Sequence, residues 1–369
     1  MKKILFIVIV FLVVSVPVFA VYDAESIDTQ ALEESLKETE YYNPYGSVGD
    51  LLRAILENRL ELDGSNILEN ILQIPFSGIR QAIPTLASLL CIAILLSVIE
   101  NLKILSGKTE EMALLGGKII FCIVLFTSFF STVQEAKESL NGISVFSQTL
   151  MPIIITLLAA CGAQGSATSM APSMAMLSST LIGIVSYIIF PMILAACAVS
   201  AVNSVLPGSK LSGVADMFKS IASWLMGGIF TVFSAVIAIQ GMVAGASDGI
   251  SIKSIKYAIN SSVPIIGGSV SESLTMVLAS GIFLKSAAGI SGIIIIAGIL
   301  LLPVINICGY ILLLRCFNAC VSPFSDNFVT GCVRNVCDCL KLVMAAIFGV
   351  GVLYFIYLGI LAGAGSSLL

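Results

Sequence analysis

The sequence contains no histidine, and charged residues make up only 11% of its 369 positions. Without histidine the chain has no Ser-His-Asp or Cys-His nucleophile, no HExxH zinc motif and no histidine to act as a general base. It also lacks a P-loop, because Ser106-Gly107-Lys108-Thr109 is preceded by Leu102 where the motif requires glycine. We therefore predict that the protein is not an enzyme and carries no cofactor.

The scarcity of charge accompanies an excess of apolar residues, which make up 58% of the chain, and a mean hydropathy of +1.06. Soluble domains carry roughly 25% charged residues. A helix needs about 20 apolar residues to cross a bilayer. The predicted fold class is therefore all-α, a polytopic membrane helical bundle surrounded by lipid. Six segments are long enough to cross, near 83–105, 112–133, 172–203, 221–243, 287–314 and 341–363.

Two further segments, near 150–163 and 264–285, are ambiguous. Each begins at a Pro-Ile-Ile sequence, which contains Pro152 or Pro264, and each includes polar residues. Either segment is a span or a re-entrant or broken helix, so we predict six to eight spans. The positive-inside rule does not separate the two counts, and both place the C-terminus outside. With six spans, the cytoplasmic cations are Lys103, Lys108, Lys210, Lys219, Arg315, Arg334 and Lys341.

A pattern of glycines and prolines occurs twice. Leu114-Leu115-Gly116-Gly117, Met151-Pro152-Ile153-Ile154 and Pro191 reappear as Leu225-Met226-Gly227-Gly228, Val263-Pro264-Ile265-Ile266 and Pro303, offset by 112 positions. Because matched prolines are uncommon, we interpret this pattern as an internal duplication. The copies occupy about 84–191 and 196–303, with a partial third copy at 304–369. Two spans per unit make the copies parallel, and three make them inverted.

The N-terminal part of the chain differs from the membrane body at 81–369. Residues 1–20 have the charge, apolar run and small-residue site of a signal peptide, or alternatively form an uncleaved signal anchor. Residues 21–80 contain 12 acidic and 4 basic residues, and we expect them to be extracytoplasmic. Within them, Leu51, Leu52, Ile55, Leu56 and Leu60 form the apolar stripe of an amphipathic helix.

Ten cysteines are present, and five of them lie between Cys316 and Cys339. Thiolates at such distances can bind zinc, but the usual CxxC pairs are absent. We therefore predict structural or free thiols and no metal. The chain also has no basic patch with interleaved aromatic residues, so nucleic-acid binding is not predicted.

Polar side chains in or beside apolar segments are energetically costly and often line a polar path. The candidates are Gln164, Gln240, Asp248 and Glu272. The alternatives are an interfacial turn at Asp248-Gly249 and an amphipathic interfacial surface at Glu272. Gly241, Gly245 and Gly249 recur every four residues, which predicts close helix packing, with homo-oligomer formation or partner contact as the alternative.

Five segments of the membrane body carry a resemblance to a known family. They are Gly227-Gly228-Ile229-Phe230-Thr231-Val232-Phe233, Ile239-Gln240-Gly241, Asp248-Gly249-Ile250-Ser251-Ile252-Lys253, Val263-Pro264-Ile265-Ile266-Gly267 and Ala288-Gly289-Ile290-Ser291-Gly292. These segments resemble the stage III sporulation protein AE family of endospore-forming bacteria. The resemblance extends over roughly 85–360, and its most specific part runs from Gln240 to Gly267.

The resemblance implies a multi-pass protein of the mother-cell membrane around the forespore, acting within a secretion-like channel between the two compartments. A separate ATPase and ring-forming sporulation proteins are the implied partners, and support of late forespore sigma-factor activity is the implied role. It carries over no catalytic or ligand residue. A permease-like core is one role within such a channel. The rival hypotheses are a stand-alone secondary transporter, with its substrate at broken helices beginning at Pro152 and Pro264, and a purely structural membrane anchor.

Overall fold

A computed structural model describes residues 83–100, 108–160, 163–206, 211–262, 267–323 and 327–363, together with Glu34. For residues 244–262 and 267–285 it describes the backbone alone. The described ranges are helical and contain no strand, which confirms the predicted all-α class. The predicted signal segment, and the acidic segment apart from Glu34, lie outside the described residues.

Long helices make up the described chain. They are α1 (Ile83–Glu100), α2 (Lys108–Ala160), α3 (Gln164–Ala175), α4 (Phe190–Val205), α5 (Ser212–Ser262), α6 (Gly267–Val321) and α7 (Asn327–Gly363). Two π-helical segments, Met176–Leu181 and Val185–Ile189, join α3 to α4, with the single α turn Ile182–Ile184 between them. Where α4 gives way to α5, the backbone N–H of Leu211 donates a hydrogen bond of 3.0 Å to Asn203 Oδ1.

The described residues include six helical stretches that are long and apolar enough to cross a membrane. Each of the six predicted spans falls mainly within one of them, so the expected helices are confirmed. The ambiguous segments are not separate helices: residues 150–160 belong to α2 and residues 267–285 belong to α6. The expected break at Pro152 does not occur, because α2 continues through this proline to Ala160. A helix of 53 residues is about 80 Å long, well over the roughly 30 Å of a bilayer core.

Helix α7 lies at the centre of the bundle and runs parallel to α2. Near the start of both helices, Cys122 Sγ lies 3.8 Å from Cys332 Sγ. Near the end of both, Leu150 and Leu358 meet at Gly292 of α6. Because these contacts occur in the same order along the two helices, α2 and α7 point in the same direction.

The α3–α4 and α6 segments run antiparallel to α7. The Tyr357 hydroxyl, near the end of α7, donates a hydrogen bond of 2.7 Å to the carbonyl of Met170 in α3. Gly289, in the first half of α6, packs against Ala362 at the end of α7, and an added Cβ would lie 2.8 Å from the Ala362 Cβ. The chain therefore passes up and down beside the central helix.

Helix α5 is parallel to α7. Phe230 packs on Gly349, and further along both helices Gly241 packs on Ile360. The helices α2 and α5, which carry the two Gly-Gly pairs of the predicted duplication, therefore run in the same direction. The duplication itself stays a prediction.

Basic side chains collect at one end of the bundle. Lys118 Nζ lies 5.3 Å from the centre of the Phe328 ring at the start of α7. The charge of Lys219 is close enough to act on the thiols of Cys197 and Cys339. The charges of Arg315 and Lys341 are close enough to act on the thiol of Cys337. We call this end, defined by Lys118, Lys219, Arg315 and Lys341, the basic end.

Candidate functional site in the polar half of α2

The candidate site begins where α2 changes from apolar to polar sequence. After the apolar run that ends at Val133, residues 134–149 read QEAKESLNGISVFSQT. Two serines of this stretch, Ser144 and Ser147, are buried on the inward side of the helix. Polar groups at this depth need partners, because an unpaired buried polar group is costly.

Ser144 links α2 to the first π-helical segment. Its hydroxyl donates a hydrogen bond of 3.0 Å to the carbonyl oxygen of Ser178, and it accepts one of 3.0 Å from Gln148 Nε2. A π-helix shifts the backbone hydrogen bonds by one residue and is rare, and such segments frequently mark functional sites. Within this segment, the Ser178 carbonyl oxygen accepts a hydrogen bond from a side chain of another helix, the Ser144 hydroxyl of α2.

Two tyrosines of α7 complete the cluster, and their hydroxyls differ in how they are satisfied. Both side chains are fully buried. The Tyr357 hydroxyl bonds to Met170, and Ser173 Oγ lies 3.5 Å from it. The Tyr354 hydroxyl faces the hydroxyls of Ser147 and Ser178. However, neither Tyr354 nor Ser147 forms a side-chain hydrogen bond of normal geometry.

The chemistry available to this cluster is neutral hydrogen bonding. Among the described residues, the fully buried polar side chains are serines and tyrosines, and none is charged. Elsewhere in the bundle, the amide oxygens of Gln240, Asn306 and Asn318 are also buried. The orphan hydroxyls of Ser147 and Tyr354 can each donate one hydrogen bond to a polar group that enters the cluster. The described part of the cluster contains no carboxyl or amino group.

The cysteines form a second group near the basic end. Cys122, Cys197 and Cys332 line a cavity of about 10 Å³ between α2, α4 and α7. Cys197 faces Cys339, whereas Cys316 and Cys320 are exposed on α6. Within the described ranges no three Cys, Asp or Glu residues are grouped as a metal ion requires. The predicted cluster at 316–339 is therefore divided between a buried and an exposed set.

The polar-path residues predicted from sequence are only partly described. Gln240 lies on α5 with its Oε1 buried and without a hydrogen-bond partner, next to Gly241. Asp248, Gly245 and Gly249 lie on α5, Glu272 lies on α6 and Gln164 begins α3, but their side chains are outside the description. Pro264 falls outside the described residues. The hydroxyl cluster was not predicted, although the polar break after Val133 was a visible signal for it.

Comparison with known proteins agrees with the resemblance seen in the sequence. The family model described as stage III sporulation protein AE matches residues 46–365, which is most of the chain. The chain belongs to the stage III sporulation protein AE family. It is also 23% identical to stage III sporulation protein AE of Bacillus subtilis (strain 168) over 282 residues, covering 76% of this chain and 70% of that protein. No solved structure matches the chain.

Membership of the stage III sporulation protein AE family implies a role in sporulation. The matched range contains the whole described bundle, including the hydroxyl cluster on α2, α3 and α7. It also begins before α1, so part of the acidic segment belongs to the family unit. Together with the six apolar helices, the match describes a sporulation protein of the multi-pass membrane type.

Proposed function

We propose that this protein is a non-enzymatic component of the channel apparatus between mother cell and forespore, and that it forms the permease-like core of that apparatus. The observation that carries the proposal is the family match over residues 46–365. In this role the protein spans the mother-cell membrane around the forespore and acts with a separate ATPase and ring-forming sporulation proteins. Its activity supports late sigma-factor function in the forespore.

The neutral core supports a channel component over an ion-coupled transporter. Ion-coupled transport generally relies on ionisable side chains inside the membrane, where they bind the driving ion. The described core instead offers serine and tyrosine hydroxyls.

The basic end supports a membrane orientation. Cations near the ends of spans favour the cytoplasmic side. Lys118, Lys219, Arg315 and Lys341 share one end of the bundle, which we assign to the mother-cell cytoplasm. The C-terminal end of α7 and the acidic segment 21–80 then face the space between the two membranes, where the partner domains are.

Affinity capture from sporulating cells tests the proposal. The tagged full chain should co-purify with an ATPase and a ring-forming sporulation protein after mild detergent extraction. Replacing residues 46–80 by a polar linker of equal length should abolish this capture, because those residues lie in the family match. The same replacement of residues 21–45, outside the match, is the control and should leave capture unchanged. Purification of the wild-type chain without partners, at normal expression, contradicts the proposal.

A further inference from the structure

The outward face of α2 is polar over the same stretch that carries the inward hydroxyls. Exposed positions recur along this helix at intervals of three and four residues, as expected for one helical face. We call the polar members of this face, Gln134, Glu138, Asn141 and Gln148, the polar stripe. All four are exposed. On a helix that packs in a membrane bundle, lipid would normally face apolar side chains at such positions.

Two contacts fix the height of the polar stripe in the bundle. Near the basic end, the rings of Phe121 in α2 and Phe317 in α6 have centres 6.4 Å apart. Toward the other end, Leu150 of α2 packs against Gly292 of α6. Because the helices are antiparallel, the stretch between these contacts places Glu138 beside the run Ile299–Val304 of α6. That run lies near the middle of Ser286–Val321, which has the highest mean hydropathy among the described membrane-length stretches.

The position of the bilayer follows from the charges that bound the bundle. The part of α7 that follows Lys341 contains about 20 residues before the helix ends, which is enough to span the hydrocarbon core of a bilayer. The same interval on α2 contains the polar stripe, since Cys122 is level with Cys332 and Ser147 with Tyr354. This placement moves the membrane-embedded part of α2 toward its C-terminal half, away from the span predicted near 112–133. A bilayer shifted toward the basic end would instead immerse the larger set of charges around Lys219, Arg315 and Lys341.

We propose that the polar stripe lines a water-filled path through the membrane, bounded by α2 helices from several copies of this chain. A carboxylate and three amides at membrane depth are costly against lipid and are stabilised by water. One chain supplies only one wall, so the path is complete only when further copies turn the same face inward. The solutes that fit such a wall are hydrophilic and small. This inference rests on the proposed function and identifies the polar stripe as the surface that lines the channel.

Cysteine accessibility in intact membranes tests the inference without any sporulation readout. In a full chain whose native cysteines are alanine, Asn141→Cys and Glu138→Cys should react with a charged, membrane-impermeant maleimide. The matched control is Val232→Cys, an exposed apolar position on α5 at nearly the same height, because Phe230 packs on Gly349. The stripe positions should react at least about tenfold faster, because the reactive thiolate forms in water and not in hydrocarbon.

Two further readings make the outcome decisive. A short bis-maleimide should link Asn141→Cys chains into dimers, whereas Val232→Cys chains should stay unlinked. Hydroxyl-radical labelling of the wild-type chain in membranes, with each peptide normalised to its labelling in the denatured chain, should show less protection of the 134–148 peptide than of the 225–243 peptide, which covers the case of a cysteine variant that does not fold. Equal, slow reaction at Asn141→Cys and Val232→Cys overturns the water-filled path. Fast reaction of Asn141→Cys without cross-linked dimers overturns the claim that several copies of this chain form the path. Neither result depends on whether partner proteins are captured in the affinity experiment.

Discussion

Among single residues, Tyr354 and Tyr357 differ most sharply, because one hydroxyl is paired and the other is not. They lie one turn apart on α7 and are both fully buried. Tyr357 donates to the Met170 carbonyl, whereas Tyr354 has no partner of normal geometry. Sequence reasoning had no means of distinguishing them, since their surroundings come from α2 and α3. The polar break at Gln134 to Gln148 was visible in the sequence, but the helix that its inward serines face was not.

Replacing each tyrosine by phenylalanine tests this difference. Tyr357→Phe removes a formed hydrogen bond to the Met170 carbonyl, which keeps the Ser173 hydroxyl as its other side-chain donor, so it should cost about 1 kcal/mol of stability. Tyr354→Phe removes an unpaired buried hydroxyl and should be neutral or slightly stabilising. Thermal unfolding in detergent measures both. A larger loss for Tyr354→Phe would show that its hydroxyl is bonded in the folded protein.

Among helices, close packing around α7 depends on particular glycines. A Cβ added at Gly349 would overlap the ring of Phe230, whereas one added at Gly359 would meet nothing within 4 Å. Gly349→Ala should therefore destabilise the α5–α7 contact by about 1–3 kcal/mol. Gly359→Ala on the same helix is the matched control and should be neutral or stabilising by up to about 1 kcal/mol. Similar unfolding temperatures for the two variants would contradict this packing.

The parallel course of α2 and α7 predicts a specific cross-link. Cys122 and Cys332 have their sulfur atoms 3.8 Å apart, so mild oxidation should remove one hydrogen from each thiol and join them. Peptide mapping of the oxidised wild-type chain should recover this pair in preference to any pair involving the exposed Cys316 or Cys320. Recovery of Cys332 linked to Cys316 would place α7 differently.

The helices themselves were largely predictable from sequence, because about 20 apolar residues are enough to identify a membrane helix. Their ends were not. Pro152 was expected to interrupt a helix, yet α2 continues through it to Ala160. A proline costs a helix one hydrogen bond and a steric contact, and the packing of Leu150 and Ile154 in the core offsets that cost. Such compensation depends on residues distant in sequence and cannot be read locally.

For the whole molecule, the sequence left open how the helices run relative to one another, and contacts across the bundle show that α2 and α5 both run parallel to α7. The same contacts align the polar half of α2 with the apolar part of α6, which no single segment of sequence reveals. The neutral hydroxyl cluster, the basic end and the polar stripe fit the channel role that we propose for this sporulation protein.

We propose that the protein works as a channel component and not as an ion-coupled transporter, so the carboxylates of Asp248 and Glu272 should be dispensable. The direct test is the variant Asp248→Asn with Glu272→Gln, which removes the two carboxylates that a transporter of this sequence would rely on. It replaces the wild-type chain in sporulating cells, and a late forespore sigma-factor reporter is measured together with the amount of protein in the membrane. We predict a reporter signal close to that of the wild type. A signal as low as in cells without the protein, with normal amounts of the variant in the membrane, would show that the carboxylates are required, as ion-coupled transport predicts.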